Sequence, residues 1–198
     1  MEFSSAKDEV TASLATSRGL GESAGAGGVY TVVCHDAGGN LKWTDTFHNL
    51  VVNQGLQDMN TKYFLGSAYT ATWFLGLVTG PGSGTTFSPG DTLASHGATG
   101  SGGWTENTAY IGTRKAATFG TATTAAPSVI NNAVATGGTP AVFTMNVNAQ
   151  TIAGAFLCSV TSGTSGVLFS AGDFTGGDKI VDSGDTLTVT YTFSLNAV

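Results

Sequence analysis

The residues of this chain that could do chemistry begin with its carboxylates, among them Asp45, Asp91, Glu106, Asp173, Asp178, Asp182 and Asp185. Two carboxyl groups facing each other across a cleft can act as acid and base on a glycosidic bond, the chemistry of a glycan hydrolase. Nearly all of these acids stand beside glycine, threonine or serine, where an aspartate accepts hydrogen bonds from the backbone of its own turn. Turn chemistry therefore outweighs catalysis, and no catalytic residue is assigned. Asp173, Asp178 and Asp182 lie close enough in sequence to share a calcium ion, but Asp173-Phe174-Thr175-Gly176-Gly177-Asp178 lacks the ligand spacing of an EF-hand loop. His35, His48 and His96 fit no zinc spacing, and neither Cys34 nor Cys158 stands in register with them. His48, at a strand end, reads as a hydrogen-bonded structural residue. The glycine clusters match neither the dinucleotide nor the phosphate-loop pattern, and no Gly-x-Ser-x-Gly elbow is present. No metal and no cofactor is expected.

Trp43, Trp73 and Trp104, with Tyr69 and Tyr110, could form a sugar-stacking platform. Trp43 and Trp73 have apolar neighbours and read as core. Trp104 sits in Gly102-Gly103-Trp104-Thr105-Glu106, and it and Glu106 are expected at a surface contact. The two cysteines, each inside an apolar stretch, read as small buried core residues, with a disulfide left open.

The elements that must position these groups are mostly strands. Residues 29–48 read as a hairpin with its turn at Asp36-Ala37-Gly38-Gly39-Asn40. Asp45 interrupts the apolar face of its second strand, which points to an edge or an interface. One helix is predicted over residues 54–65, capped by Asn53 and closed by Gly66. Ala71-Thr72-Trp73-Phe74-Leu75-Gly76-Leu77-Val78 reads as a strand partly buried on both faces. The loop 79–103 is far longer than the ~4–6 residues typical of connections in compact domains, and is the candidate contact loop. Short strands are expected around Tyr110, at 117–119 and at 128–130. From residue 141 onward apolar and threonine-rich runs follow one another: 142–147, 152–160, 167–169, 179–181 and 187–193. In the last, Leu187, Val189, Tyr191 and Phe193 alternate with hydroxyl residues, the two-residue period of a strand. Gly90-Asp91-Thr92-Leu93 and Gly184-Asp185-Thr186-Leu187 share a pattern that reads as common turn chemistry rather than as a repeat.

The expected fold is therefore mainly β: an antiparallel β sandwich or barrel, jelly-roll-like, with one short helix. A single β-rich domain covers residues 29–198. Residues 1–28, rich in Ser, Ala and Gly, read as a flexible N-terminal arm with a short helix possible over 6–14. That segment is either an arm that orders across a neighbouring subunit, anchored by Phe3, Val10 and Leu14, or an unstructured terminus.

Apolar residues make up 41% of the chain and charged residues only 10%, against roughly 25% charged in ordinary soluble domains. A surface with so little like-charge repulsion suits a subunit packed in an assembly as well as it suits a secreted β protein. The net charge of −6 comes from 13 acids against 7 scattered bases, so no basic stripe exists to follow nucleic acid. No apolar run approaches the ~20 residues of a spanning helix, so no membrane partner is expected. The opening Met1-Glu2-Phe3-Ser4-Ser5 lacks the basic and apolar regions of a secretory signal, and the expected place of synthesis is a cytoplasm.

Several stretches resemble a group of phage and prophage virion structural proteins. They are Gly38-Gly39-Asn40-Leu41-Lys42-Trp43, Phe47-His48-Asn49-Leu50-Val51-Val52-Asn53-Gln54-Gly55-Leu56, Trp73-Phe74-Leu75-Gly76-Leu77, Gly90-Asp91-Thr92-Leu93-Ala94-Ser95-His96, Gly103-Trp104-Thr105-Glu106, Gly154-Ala155-Phe156-Leu157 and Ser183-Gly184-Asp185-Thr186-Leu187. The resemblance implies a non-enzymatic virion protein assembled in the host cytoplasm, a capsid decoration (cement) protein whose partners are the major capsid protein and copies of itself. It equally admits a tail adaptor or a host-receptor-binding tail protein, which would face a host surface glycan. Residues 97–102 depart from the group's pattern and lengthen the long loop.

Overall fold

In a computed structural model of the chain, residues 24–68, 72–80, 87–96 and 104–197 are described. They form a β sandwich of two antiparallel sheets with no closed barrel. The strands are β1 (Ala24–His35), β2 (Leu41–His48), β3 (Leu50–Val51), β4 (Trp73–Thr79), β5 (Thr105–Asn107), β6 (Lys115–Ala117) and β7 (Ser128–Asn131). They continue with β8 (Ala141–Thr144), β9 (Gln150–Ile152), β10 (Gly154–Cys158), β11 (Leu168–Asp173), β12 (Lys179–Val181) and β13 (Thr186–Ala197). The first sheet runs β2-β1-β13-β7, with β8 also on β13; the second runs β3-β11-β10-β4-β5, with β6 also on β4. β9 and β12 form a separate ribbon.

The long pair β1–β13 holds the first sheet together, from Ala24 opposite Ala197 to His35 opposite Thr186. Residues 24–28, expected in the arm, thus belong to a strand, because the alternating β13 offers them a hydrogen-bonding edge over its whole length. The inward residues Tyr30, Val32, Cys34, Leu187, Val189 and Tyr191 meet Leu75, Leu77, Ala155, Leu157 and Phe169 of the second sheet. Tyr30 crosses the sandwich, its hydroxyl 2.7 Å from Ser170 Oγ. Both cysteines are buried and free.

The second sheet is covered on its outer face as well. Phe156, Cys158, Leu168 and Val78 pack there under Trp104, Leu93 and Val52. Residues 87–96 and Trp104, from the expected contact loop and its end, supply this cover, and the first stretch includes a four-residue helix α2 (Leu93–His96) that no sequence period announced. Gly76 on β4 is required by this layer: a Cβ there would lie 2.2 Å from the Phe156 ring.

The predicted helix is present as α1 (Asn53–Phe64), with Gly66 beyond its end at a φ of 64°. Its N-cap is Val52, not Asn53, and no side chain caps it. The Asn53 amide instead donates to the Pro89 carbonyl, and Val52 N–H donates to Phe169 O, so neighbouring backbone does the work of a cap. Gly55 lets α1 press onto β11: a Cβ would sit 2.5 Å from the Phe169 carbonyl oxygen. The run 152–160 is split at Ala153 into β9 and β10, since Ala153 N–H donates to Val78 of the second sheet.

The paired Gly-Asp-Thr-Leu turns have one geometry. Asp91 Oδ2 accepts the Ser88 amide at 2.9 Å and Asp185 Oδ2 accepts the Asp182 amide at 2.9 Å. Each following leucine, Leu93 and Leu187, is buried. Asp185 also pairs with Lys42 at 2.6 Å. Asp185→Ala is expected to lower stability by about 1–3 kcal/mol by stranding the Asp182 amide and the Lys42 ammonium, read as a shift in urea midpoint. Unchanged stability would mean that water replaces both bonds without cost.

Candidate functional site

A cleft of ≈ 420 Å³ opens between the 108–114 loop and the 161–164 loop. Each wall follows a strand of the second sheet. β5 ends in Asn107, whose Oδ1 accepts the Ala109 amide and turns the chain back toward β6. Beyond β10, the 161–164 loop is tied across by the Arg114 amide, which donates to Thr161 O. The walls carry the hydroxyls of Thr108, Thr113, Thr161, Ser162 and Thr164.

Arg114 forms the floor, its side chain 1% exposed. Its guanidinium lies over the Phe156 ring, 5.2 Å from the centroid. Nε donates to Glu106 Oε1 at 2.8 Å and Nη2 to Glu106 Oε2 at 2.6 Å, a bidentate pair. Nη2 also donates to Gly163 O, and Nη1 to Val160 O and Cys158 Sγ. An arginine has five donors, so each has an acceptor inside the protein. Burial would lower the Arg114 pKa, but the hydrogen bonds and charge of Glu106 outweigh it and raise it. Burial, then the Glu106 charge, raises the Tyr110 hydroxyl, whose O–H donates to Glu106 Oε1. Burial likewise raises the Cys158 thiol in spite of Arg114. At neutral pH the cleft therefore presents hydroxyls and a neutralised ion pair, with no ionised nucleophile at Tyr110 or Cys158. Chemically it suits hydrogen bonding to a hydroxylated ligand or to another protein surface.

Of the residues expected to make contacts, Glu106 lies in this cleft. Trp104 does not reach a surface: it is 1% exposed, packed 5.5 Å from the Phe156 ring centroid, with its indole N–H donating to Asp91 Oδ2 at 3.1 Å. Its glycine neighbours suggested exposure, but its apolar area is better placed over the second sheet. Phe3, Val10 and Leu14 fall outside the described residues, as does Tyr69. Trp43 and Trp73 pack against the main core as expected. The sequence singled out neither Arg114 nor the 161–164 loop: one scattered base carries no local signal of burial beside residues more than forty positions away.

The carboxylates divide by environment. Asp45, expected to mark an edge or interface, lies on β2, the edge strand of the first sheet, where it is buried and accepts the amides of Thr175 and Gly176, with Lys179 Nζ 3.6 Å away. Asp182 stands apart, accepting the Ala149 amide and facing Lys42 at 3.8 Å. It is thus removed from the suggested calcium set, and among the described residues no three His, Cys, Asp or Glu side chains could hold a metal ion. His35 and His48 sit at opposite ends of the hairpin, and His48 is exposed rather than built into the structure.

Asp173 Oδ1 and Asp178 Oδ2 are buried without a hydrogen-bond partner among the described residues. Burial raises the Asp173 pKa, and the charges of Asp178 and Asp45 add to the shift. The folded protein thus holds this proton more tightly than the unfolded chain. The resulting stabilisation is complete below the unfolded carboxylate pKa of about 3.9 and is lost as pH rises through the raised folded value. Asp173→Asn is accordingly expected to raise the melting temperature at pH 7 relative to wild type and to have little effect below pH ~3.9. A lower melting temperature at pH 7 would show that the charge is needed.

No family model matches the chain, and comparison with curated proteins and with solved structures found no match.

Proposed function

We propose that this chain is a non-enzymatic structural subunit of a phage virion, a decoration protein that clamps neighbouring capsid subunits. The observation that carries this reading is the bonding of its polar groups. Arg114, Glu106, Asp45, Asp91 and Asp185 tie loops and turns to the sandwich, the arrangement of a rigid building block. A surface with few charges and an exposed apolar end on α1 adds the faces such a block needs to join others. The resemblance to virion proteins supplies the partner class: the major capsid protein and further copies of this chain. The hydroxyl-lined cleft favours one second reading, a tail protein that adapts the tail or holds a host glycan.

Quantitative mass spectrometry of purified particles and tail-less heads tests the proposal. On the order of hundreds of copies retained on heads, as symmetric coats require, supports decoration. About a dozen copies lost with the tail supports the second reading, and absence from particles sinks both. A glycan hydrolase would instead lose measurable turnover when Asp173, Asp178 and Asp182 are removed singly and together.

A further inference from the structure

α1 buries only part of its circumference. Gly55 presses onto β11 and Met59 packs against the main core, while Leu56 and Tyr63, seven residues apart, line the flank beside them. Phe64 joins Tyr63 through an edge-on ring contact of 5.0 Å, and Leu65 continues the patch. Leu56 is 39%, Tyr63 84%, Phe64 75% and Leu65 78% exposed. Tyr63, Phe64 and Leu65 point in different directions around the end of α1 and leave it as an open apolar end; isolated exposed apolar residues are ordinary, but contiguous ones mark contacts.

We infer that the cover is residues 3–14 of this chain. Within that segment Phe3, Val10 and Leu14 are spaced by seven and four, which places them on one side of a helix. The remaining residues are small or polar, so the segment has no core of its own on which to bury them. Reach permits the contact. β1 begins at Ala24, and the Gly28 carbonyl accepts the Asn49 amide just before β3 and α1. The path from Ala24 through that bond and along α1 to Phe64 is at most ~50 Å, and with residues 3–14 helical (~17 Å) and the stretch from there to Ala24 extended (~35 Å) the segment reaches about 50 Å. The apolar side of the segment and the apolar end of α1 are thus matched in chemistry and in distance. In the reading proposed above the segment comes from a neighbouring copy; the docking inference rests on that reading for the identity of the copy alone.

The test uses the full chain with a benzophenone amino acid at position 10 or 14, in an equal mixture of isotopically heavy and light protein. After photolysis, adducts are mapped by mass spectrometry. The expected result is cross-linking concentrated on Leu56, Tyr63, Phe64 and Leu65, falling about tenfold, a ~1.4 kcal/mol loss, when Tyr63, Phe64 and Leu65 are all changed to serine. Those side chains are exposed, so the triple variant keeps its core, which its circular dichroism checks. Cross-links elsewhere on the chain, or none, overturn the inference. Heavy-to-light adducts support exchange between copies; adducts confined to single copies keep the docking and remove the clamp's arm.

Discussion

Replacing Arg114 by methionine is expected to destabilise the protein by about 3–5 kcal/mol, the cost of breaking a buried ion pair from one side. The loss has two parts. Glu106, with 10% side-chain exposure, keeps its charge and loses both guanidinium bonds. The carbonyls of Val160 and Gly163 lose their guanidinium bonds, so the wall after β10 loses its side-chain tie and keeps the backbone bond from position 114 to Thr161 O. A second substitution separates charge from packing. In Arg114→Met with Glu106→Leu the stranded carboxylate is gone, and replacement of a buried pair by apolar residues is often neutral. The double variant should therefore recover most of the loss in urea unfolding, while amide exchange in the 161–164 loop stays fast. A single variant costing under about 1 kcal/mol would mean that water enters the cleft and solvates Glu106 cheaply.

The second large effect concerns Gly76 and Phe156, paired across β4 and β10. Phe156 is fully buried, with Trp104 at 5.5 Å and the Arg114 guanidinium at 5.2 Å from its ring centroid. The ring has no room to withdraw from a Cβ built 2.2 Å away at Gly76. Phe156→Ala is expected to cost about 3–5 kcal/mol through the cavity it leaves. Gly76→Ala should cost about 1–3 kcal/mol through overpacking. Together the two should be less damaging than their sum, because the new methyl group occupies part of the vacated ring space. A coupling energy of 0.5–3 kcal/mol, about the range for residues in contact, is the expected outcome of a four-variant unfolding series. Strict additivity would mean that the strand shifts to relieve the clash.

Much of the fold was legible because alternation is a local property. β13 could be read from Leu187, Val189 and Tyr191, each of which faces the core. The hairpin β1–β2, the helix α1 and the Gly-Asp-Thr-Leu turns followed from period and turn chemistry in the same way. The candidate site was far less legible. Glu106 stands next but one to Trp104 in the sequence, yet its partner is Arg114, and the neighbouring indole faces inward. The second core explains both: Trp104 and Phe156 are separated by some fifty residues, and only the cover over the outer face of the second sheet brings them together.

By itself the sequence determined a charge-poor antiparallel β protein, with strands marked by two-residue alternation and turns marked by glycine and aspartate. Those are short-range consequences of backbone geometry and side-chain polarity. Tertiary structure alone decided which groups are spent on internal bonds and which face outward. It placed Trp104 inside, closed the five donors of Arg114, and left Tyr63, Phe64 and Leu65 open. The physical reason is that burial and hydrogen-bond satisfaction depend on residues distant in the chain, which no local pattern encodes.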